Sequence, residues 1–255
     1  MYAPMTNSPR LPANLHASLM NVATCGHIDA GSPGSRIAEL FKAYPVTHRR
    51  LHQGEHLFRA GDHFSCLYIL NAGFAKTCHV SEDGCEQTTG FHLRGDVLGL
   101  DAIGSGSYGC DAIALDICDL IVVPFEAVIA QGMQSPQLVR ELYSAFSAEI
   151  RSDREQMLSI GSLPAEGRVA NFLLDMSRRF GSRGFSSTEL QLRLTRQEIG
   201  SLLGLKLETV SRALSHFAKL GLIEVCLREI TLVDVEGLHE LVAGHDARAE
   251  CLAAA

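Results

Sequence analysis

The sequence predicts an α+β chain with three units in series: a β-roll of jelly-roll type, one long helix, and a winged helix-turn-helix. Three observations carry this. Glycines recur at positions 54, 61, 73, 84, 90, 95, 99, 104, 106 and 109, with short strand-like runs between them, the rhythm of a β-sandwich or roll. Pro136 to Ile160 then contains no glycine and no further proline, so a long helix is expected. Thr195 to Leu220 holds two short helix patterns about Gly204, followed by two short apolar strands.

Length and composition bound the possibilities. The 255 residues include 22 basic and 29 acidic side chains, for a formal net charge of −7. That size allows one large domain or two modest ones, each with a core. No apolar run reaches membrane-spanning length. The first twenty residues, MYAPMTNSPRLPANLHASLM, lack an apolar segment behind a basic start, so an unexported, cytoplasmic protein without a membrane partner is expected. Eight cysteines stand at 25, 66, 78, 85, 110, 118, 226 and 251. None forms a C-x-x-C pair, and reduced, partly buried thiols are expected.

Along the chain, residues 1–35 read as a mobile N-terminal arm rich in Pro, Ser, Asn and Gly. Residues 36–134 read as the β-roll, opened by a short amphipathic helix over Arg36 to Tyr44. Its strands are expected at HLFRA, CLYIL, AKTCHV, EQTTGFHL, DAIALD and LIVVPF. Glu82-Asp83-Gly84 reads as a hairpin turn, because Asp-Gly supports positive φ. On the helix of residues 136–160, Leu142, Phe146, Ile150, Met157 and Ile160 recur at steps of three, four or seven. A stripe so narrow on a helix so long predicts a two-helix seam, hence a homodimer. Asp153 interrupts that stripe, and two such carboxylates face to face would repel.

Residues 162–237 read as the winged helix-turn-helix. Ser162-Leu163-Pro164 breaks the long helix, and Ala165 to Phe180 forms an amphipathic helix through Val169, Phe172, Leu173 and Met176. LQLRL (190–194) alternates as a strand. Thr195 and Glu198 have capping-box spacing, and Gly204 ends that helix. The second helix, from Leu207, buries Val210, Leu214 and Phe217 and turns Glu208, Thr209, Ser211, Arg212 and Ser215 outward. These types suit major-groove readout: Arg pairs with guanine O6 and N7, Glu accepts from cytosine N4, and Ser or Thr meets a thymine methyl or phosphate. Residues 222–225 and 229–232 form the wing, and 238–255 a C-terminal tail.

Beside these residues, the chain resembles the Crp/Fnr family of bacterial transcription regulators, its Fnr branch in particular. The likeness is carried by GFHLRGDVLGLDAIGSG (90–106), VPFEAV (123–128), SRRFGSRGFS (177–186) and TRQEIGSLLGLKLETVSR (195–212). The branch's Glu-x-x-Ser-Arg pattern is met by Glu208, Ser211 and Arg212. The resemblance implies a homodimer on palindromic double-stranded DNA with half-sites like TTGAT. It implies Arg212 on the guanine, Glu208 on a cytosine and Ser211 on a thymine. It implies control of anaerobic, redox or respiratory genes, often by activation. The turn SEDGCEQ (81–87) is similar to the family's polymerase-contacting loop, which makes Asp83 and Glu86 candidate contacts to RNA polymerase. Arg196 and Lys206 join the DNA candidates as cations beside the recognition helix.

The sensor's ligand stays open at this level. The resemblance implies cyclic AMP or a [4Fe–4S] cluster, and both meet difficulties. No Lys or Arg occurs between Gly95 and Val139, where a cyclic nucleotide's phosphate would need one, and Leu100 replaces the ribose-binding Glu. The first 60 residues hold only Cys25, and Ile121 stands at the family's central cysteine position. Cys118, three residues earlier, would point to the other face of a regular strand. A rearranged cluster using Cys25, Cys110, Cys118 and a further ligand is one alternative. A disulfide between Cys78 and Cys85 across the hairpin is another. Haem ligation by His48, His52, His56, His63, His79 or His92 is a third. No nucleophile–base–acid set, phosphate loop or H-E-x-x-H motif points to an enzyme. Residues 162–236 carry a net charge of +1 and the rest −8. The acidity therefore belongs to the sensor, arm and tail, and the DNA head relies on placed cations.

Overall fold

The computed structural model describes residues 32–42, 46–81 and 83–253, with side chains through residue 244. Helix α1 spans Pro33–Leu40, three residues ahead of the expected start. The cause is local: Ser35 N donates to Ser32 Oγ, and Pro33 sits at the first helical position, a favourable cap and opening. The last residues assigned to the mobile arm, 32–35, therefore belong to the roll. Ile37 and Phe41 seal α1 against it.

The roll is two antiparallel sheets face to face. Its strands are β1 (Thr47–Leu51), β2 (His56–Phe58), β3 (Cys66–Ala72), β4 (Ala75–Val80), β5 (Glu86–His92), β6 (Val97–Leu98), β7 (Asp111–Ala114) and β8 (Cys118–Pro124). One sheet runs β1-β8-β3-β6 and the other β2-β7-β4-β5. Leu67, Ile69 and Leu70 of β3 and Leu120 and Val123 of β8 fill the space between them. Phe58 and Tyr108 stack with centroids 3.9 Å apart, and Phe64 and Tyr68 join them. Strand β4 matches expectation residue for residue. The runs HLFRA and DAIALD shorten to three and four residues. Strands β1 and β6, helix α2 (Ala102–Ser105) and helix α3 (Phe125–Gly132) were not expected. Of β1, only Leu51 is buried, so its sequence carries little apolar signal, and pairing with β8 is what makes it a strand.

Helix α4 runs Pro136–Ser162 behind a Ser135 cap and seats Leu138 and Ala145 on the roll. Helix α5 (Ala165–Gly181) follows the Leu163-Pro164 break. Next come β9 (Glu189–Gln191), α6 (Arg196–Leu203), α7 (Leu207–Lys219), β10 (Ile223–Cys226) and β11 (Glu229–Leu232), the last two antiparallel in a sheet ordered β10-β11-β9. The expected tail is a correction. Residues Val235–Ala253 form helix α8, in which Leu238 is buried and Leu241 and Val242 pack on the C-terminal core. Asp234 Oδ1 accepts from Gly237 N at 2.9 Å and starts this helix.

The C-terminal core does not stop at the domain boundary. Phe91, Leu93 and Leu115 of the roll pack with Val169, Phe172, Leu173 and Met176 of α5. Phe74 stacks between Phe91 and Phe180 at 5.8 and 6.1 Å. The roll and the DNA head thus share apolar surface, which ties the head's orientation to the roll.

Candidate nucleic-acid interface

The helix-turn-helix is built by local chemistry. Thr195 Oγ1 accepts from Glu198 N, and the Glu198 carboxylate accepts from Thr195 N at 2.7 Å, so the capping box forms in full. Gly204 closes α6 in the left-handed region at φ +65°. Gly200 is required for a different reason. A Cβ there would sit 2.6 Å from Leu205 O, and Leu205 N donates to Gly200 O at 2.8 Å. The turn therefore folds back directly onto α6. Helix α7 buries Val210, Ala213, Leu214 and Phe217 against this scaffold.

The opposite face of α7 is open. Glu208, Arg212 and Ser215 are exposed, and Thr209 and Ser211 are half-buried beside them. Among the described residues, Glu208 and Arg212 make no hydrogen bond or ion pair. Ser215 Oγ donates back to Ser211 O at 2.9 Å, and His216 pairs with Glu166 at 3.0 Å. Lys206 is exposed at the N-terminal end of α7. Arg196, at the start of α6, is half-buried and donates to Leu227 O at the wing tip at 3.3 Å. Burial holds its guanidinium below the ordinary Arg value. The structure therefore brings Glu208, Thr209, Ser211, Arg212 and Lys206 to one surface and places Arg196 at that surface's edge, against the wing.

The residues expected for a dimer seam fall on two sides of α4. Leu142 and Phe146 pack in part on the roll, whereas Tyr143, Ile150 and Met157 are 68%, 48% and 73% exposed. The outward row is Tyr143, Phe146, Ile150, Asp153, Met157, Ile160, an uninterrupted three–four spacing. Tyr143 thus shares the outward row with most of the residues expected for a seam, while Leu142 turns toward the roll. Asp153 lies exposed in the middle of this row.

At the hairpin, Gly84 takes φ +76° and its N–H donates to Ser81 O at 2.9 Å, as the Asp-Gly turn requires. Asp83 is exposed there. Glu86 is not free: it accepts from Lys76, which is itself buried. The Cys78–Cys85 pairing fails. Cys78 registers with Thr88, its thiol is fully buried, and Cys85 is exposed in the turn.

The groups implied for the sensor do not fit the residues present. Where a cyclic nucleotide would need room and a cation, Phe58, Phe64, Tyr68 and Tyr108 close the interior. Leu100 is buried apolar core, Asp101 and Glu149 are acidic, and Asp96 is already held by Arg179 and Arg183. For the ordinary four-thiolate cluster, Ile121 is buried in β8, and the Cys118 thiol donates to Phe74 O at 3.1 Å. Burial pushes Cys78 up to about 11 and Cys110 up to about 12, so both rest as neutral thiols near neutrality. Cys25 lies outside the described residues. Among those described, no three His, Cys, Asp or Glu side chains converge as metal ligands. His48 and His56 face Asp119 and Asp111, each at 3.4 Å, and His92 faces Thr77 at 3.1 Å.

Residues that the sequence reading passed over join the two domains. Lys76 Nζ donates to Glu198 at 2.7 Å, and Thr88 N donates to Ser201 Oγ at 2.7 Å. Arg179 and Arg183 both grip Asp96, Arg179 at 2.9 Å. Burial works against the Asp96 carboxylate, but the two guanidinium groups hold it below its usual range. Arg193 pairs with Asp116 at 3.0 Å. Lys76 and Glu198 are 122 residues apart in the chain, so no local pattern could have paired them.

Comparison with known proteins agrees with this architecture. The Crp-like helix-turn-helix domain model matches residues 167–241, and the cyclic nucleotide-binding domain model matches residues 48–134. The fumarate and nitrate reduction regulatory protein of Escherichia coli (strain K12) is 40% identical over 195 residues, covering 76% of this chain and 78% of that one. The transcriptional activator protein FnrA of Stutzerimonas stutzeri is 40% identical over 196 residues, 77% of this chain and 80% of its own. The structure of FixK2 from Bradyrhizobium japonicum superposes with a TM-score of 0.70 at 30% identity, over 77% of this chain and 96% of that one. A β-roll joined by one long helix to a capped, winged helix-turn-helix, at this level of identity, places the chain in the Crp/Fnr family: it is an Fnr-like transcription regulator and not an enzyme.

Proposed function

We propose that the protein binds palindromic DNA as a homodimer, reading half-sites like TTGAT through Glu208, Ser211 and Arg212. The observation that carries this is the open face of α7, where a carboxylate and a guanidinium one helical turn apart stand without partners among the described residues. Such a pair left exposed is placed for base edges rather than for fold stability. Fluorescence anisotropy at one fixed salt concentration tests it, with a TTGAT palindrome beside a scrambled duplex of equal length. Tight, saturable binding to the palindrome alone is expected; equal binding to both would refute specific readout, since the phosphate term is sequence-independent.

Dimerisation through α4 follows from the exposed row of Tyr143, Ile150 and Met157. With Asp153 in that row, the seam carries a built-in repulsion of about 1 kcal/mol for two unit charges about 4 Å apart in water. Asp153→Ala is expected to tighten the dimer roughly fivefold, read as a shift in the sedimentation profile at micromolar concentration. Wild type and variant dimerising equally would remove the assigned repulsion. A marginal seam is also one that a signal can shift.

Activation is proposed to run through the hairpin tip to RNA polymerase. Asp83 is exposed there, while Glu86 is held by Lys76. Asp83→Ala is expected to lower transcription from a site-bearing promoter while leaving DNA affinity unchanged, measured side by side in a purified transcription assay. Parallel loss of both would assign Asp83 to DNA binding. The names of the relatives point to anaerobic respiratory genes as targets. No described helix is long and apolar enough to cross a membrane, in keeping with a cytoplasmic place of action.

A further inference from the structure

We infer that Lys76 is a positioning residue for DNA recognition: with Glu86 and Glu198 it fixes the helix-turn-helix on the roll and thereby sets the spacing between the two half-sites that the dimer accepts. This rests on the dimeric reading above.

The geometry begins with burial. Lys76 is only 7% exposed, and a buried ammonium is held only when paired. Its partners come from both domains. Glu86 starts β5 on the same hairpin, and Glu198 lies at the third position of α6. Glu198 uses one oxygen for Lys76 and the other for the α6 cap on Thr195. The joint therefore grips the end of the helix that orients α7. Two further bonds lie beside it: Thr88 N donates to Ser201 Oγ, and Gln87 Nε2 donates to Ser201 O. On the far side, Arg179 and Arg183 of the head hold Asp96 of the roll. Between the two joints, the covalent link from α4 to the head is the short break at Leu163-Pro164.

A dimer on a palindrome must place two recognition helices a fixed distance apart, and half-site spacing follows from that distance. The α4 seam fixes one end of each lever. The angle between α4 and α7 fixes the other; the two joints hold it, together with Gln156 of α4, which donates to Leu202 O at 2.9 Å. Removing the Lys76 charge does more than loosen one of them. It leaves Glu86 and Glu198 facing each other unneutralised, and like charges so placed push the hairpin off α6. A displacement of about 3.4 Å at α7 is one base-pair step. Loss of the joint should therefore appear as loss of spacing discrimination and not as a uniform loss of affinity.

The test uses the full chain and a set of duplexes in which two fixed TTGAT half-sites are separated by the best spacer and by one and two base pairs more or fewer. Wild type is expected to disfavour a one-base-pair change by about tenfold, the scale of one spoiled contact set. Lys76→Met is expected to reduce that ratio to about threefold or less, and Lys76→Arg, which keeps the charge, to retain most of it. The triple variant K76M/E86Q/E198Q removes the repulsion and keeps a Gln able to cap α6. It should show the flattened profile as well, and it replaces Lys76→Met if that variant does not fold. A sharp wild-type profile left unchanged in these variants, or lowered by one factor at every spacing, overturns the positioning role while leaving the dimeric reading intact. A wild type indifferent to spacing overturns the dimeric reading and the positioning role with it.

Discussion

Arg212→Ala is expected to weaken binding to a TTGAT palindrome by about 1–3 kcal/mol per half-site and to relax preference at the guanine alone. The guanidinium is exposed on α7, its neighbours Val210, Ala213 and Leu214 are buried, and it has no protein partner among the described residues. Truncation therefore leaves the fold untouched and removes a bidentate donor from the base edge. Because a dimer engages two half-sites, the loss on the full palindrome is about twice the single-site figure. Arg196→Ala supplies the contrast. Its cation sits beside the wing tip at the start of α6, so it should weaken all sequences alike and flatten the salt slope by about 1. The two variants should be compared by anisotropy on the palindrome and on the three base substitutions at the guanine. An Arg212→Ala protein that still rejects the other bases by the wild-type factor would show that Arg212 does not read that base.

The difference between these two arginines was legible in the sequence, because helix chemistry is local. A capping box at Thr195 and Glu198, a glycine at 204 and the apolar spacing of Val210, Leu214 and Phe217 locate α6 and α7 to within a residue. Strand β4 is likewise readable from its own alternation and from the Asp-Gly turn beside it. Where the deciding force is long-range, the sequence is silent. β1 is mostly exposed and becomes a strand only by pairing with β8. α8 carries a cap at Asp234 and a Leu238, Leu241, Val242 stripe, but its place is settled by the groove that α5 offers. The Cys78–Cys85 pairing fails because the ladder closes at Val80 opposite Glu86, which leaves Cys85 in the loop and sets Cys78 opposite Thr88; where a hairpin loop begins and ends cannot be counted from residue spacing alone.

The same limit applies to charge. Read along the chain, Lys76, Asp96, Arg179 and Arg183 are ordinary surface types. Folding brings Asp96 within reach of Arg179 on α5 and Arg183 just beyond its end, and buries Lys76 between carboxylates of both domains. Their exposure is low enough that solvent screens them weakly, unlike the exposed Lys42–Glu39 pair. The acidic balance of the roll, which argues against a nucleotide phosphate, thus also supplies the anions that hold the DNA head.

A half-buried acidic group without such a partner among the described residues, Glu149, gives the second large expectation. Glu149 on α4 is pushed up to about 7, first by burial and then by Asp153, Asp101 and Asp96. An unfolded Glu titrates near 4.3, so between about pH 4.3 and pH 7 the folded state holds a proton that the unfolded state has released. Stability must fall as pH rises through that window and level off above it. Below the window both states are protonated, and Glu149 contributes nothing. Glu149→Gln imitates the protonated form, so it should match wild type near pH 4.5 and exceed it by about 2–3 kcal/mol at pH 8. Urea unfolding at fixed protein concentration, repeated at four pH values across the window, reads this directly. A stability difference independent of pH would mean that the carboxylate is solvated and imposes no strain. The sign matters for the seam. Near neutral pH a charged Glu149 stands one turn before Asp153, which adds a second carboxylate next to the dimer face. Relief of Glu149 and relief of Asp153 should therefore couple: the double variant should gain less stability than the sum of the two single gains, because each removal lowers the repulsion that the other would relieve.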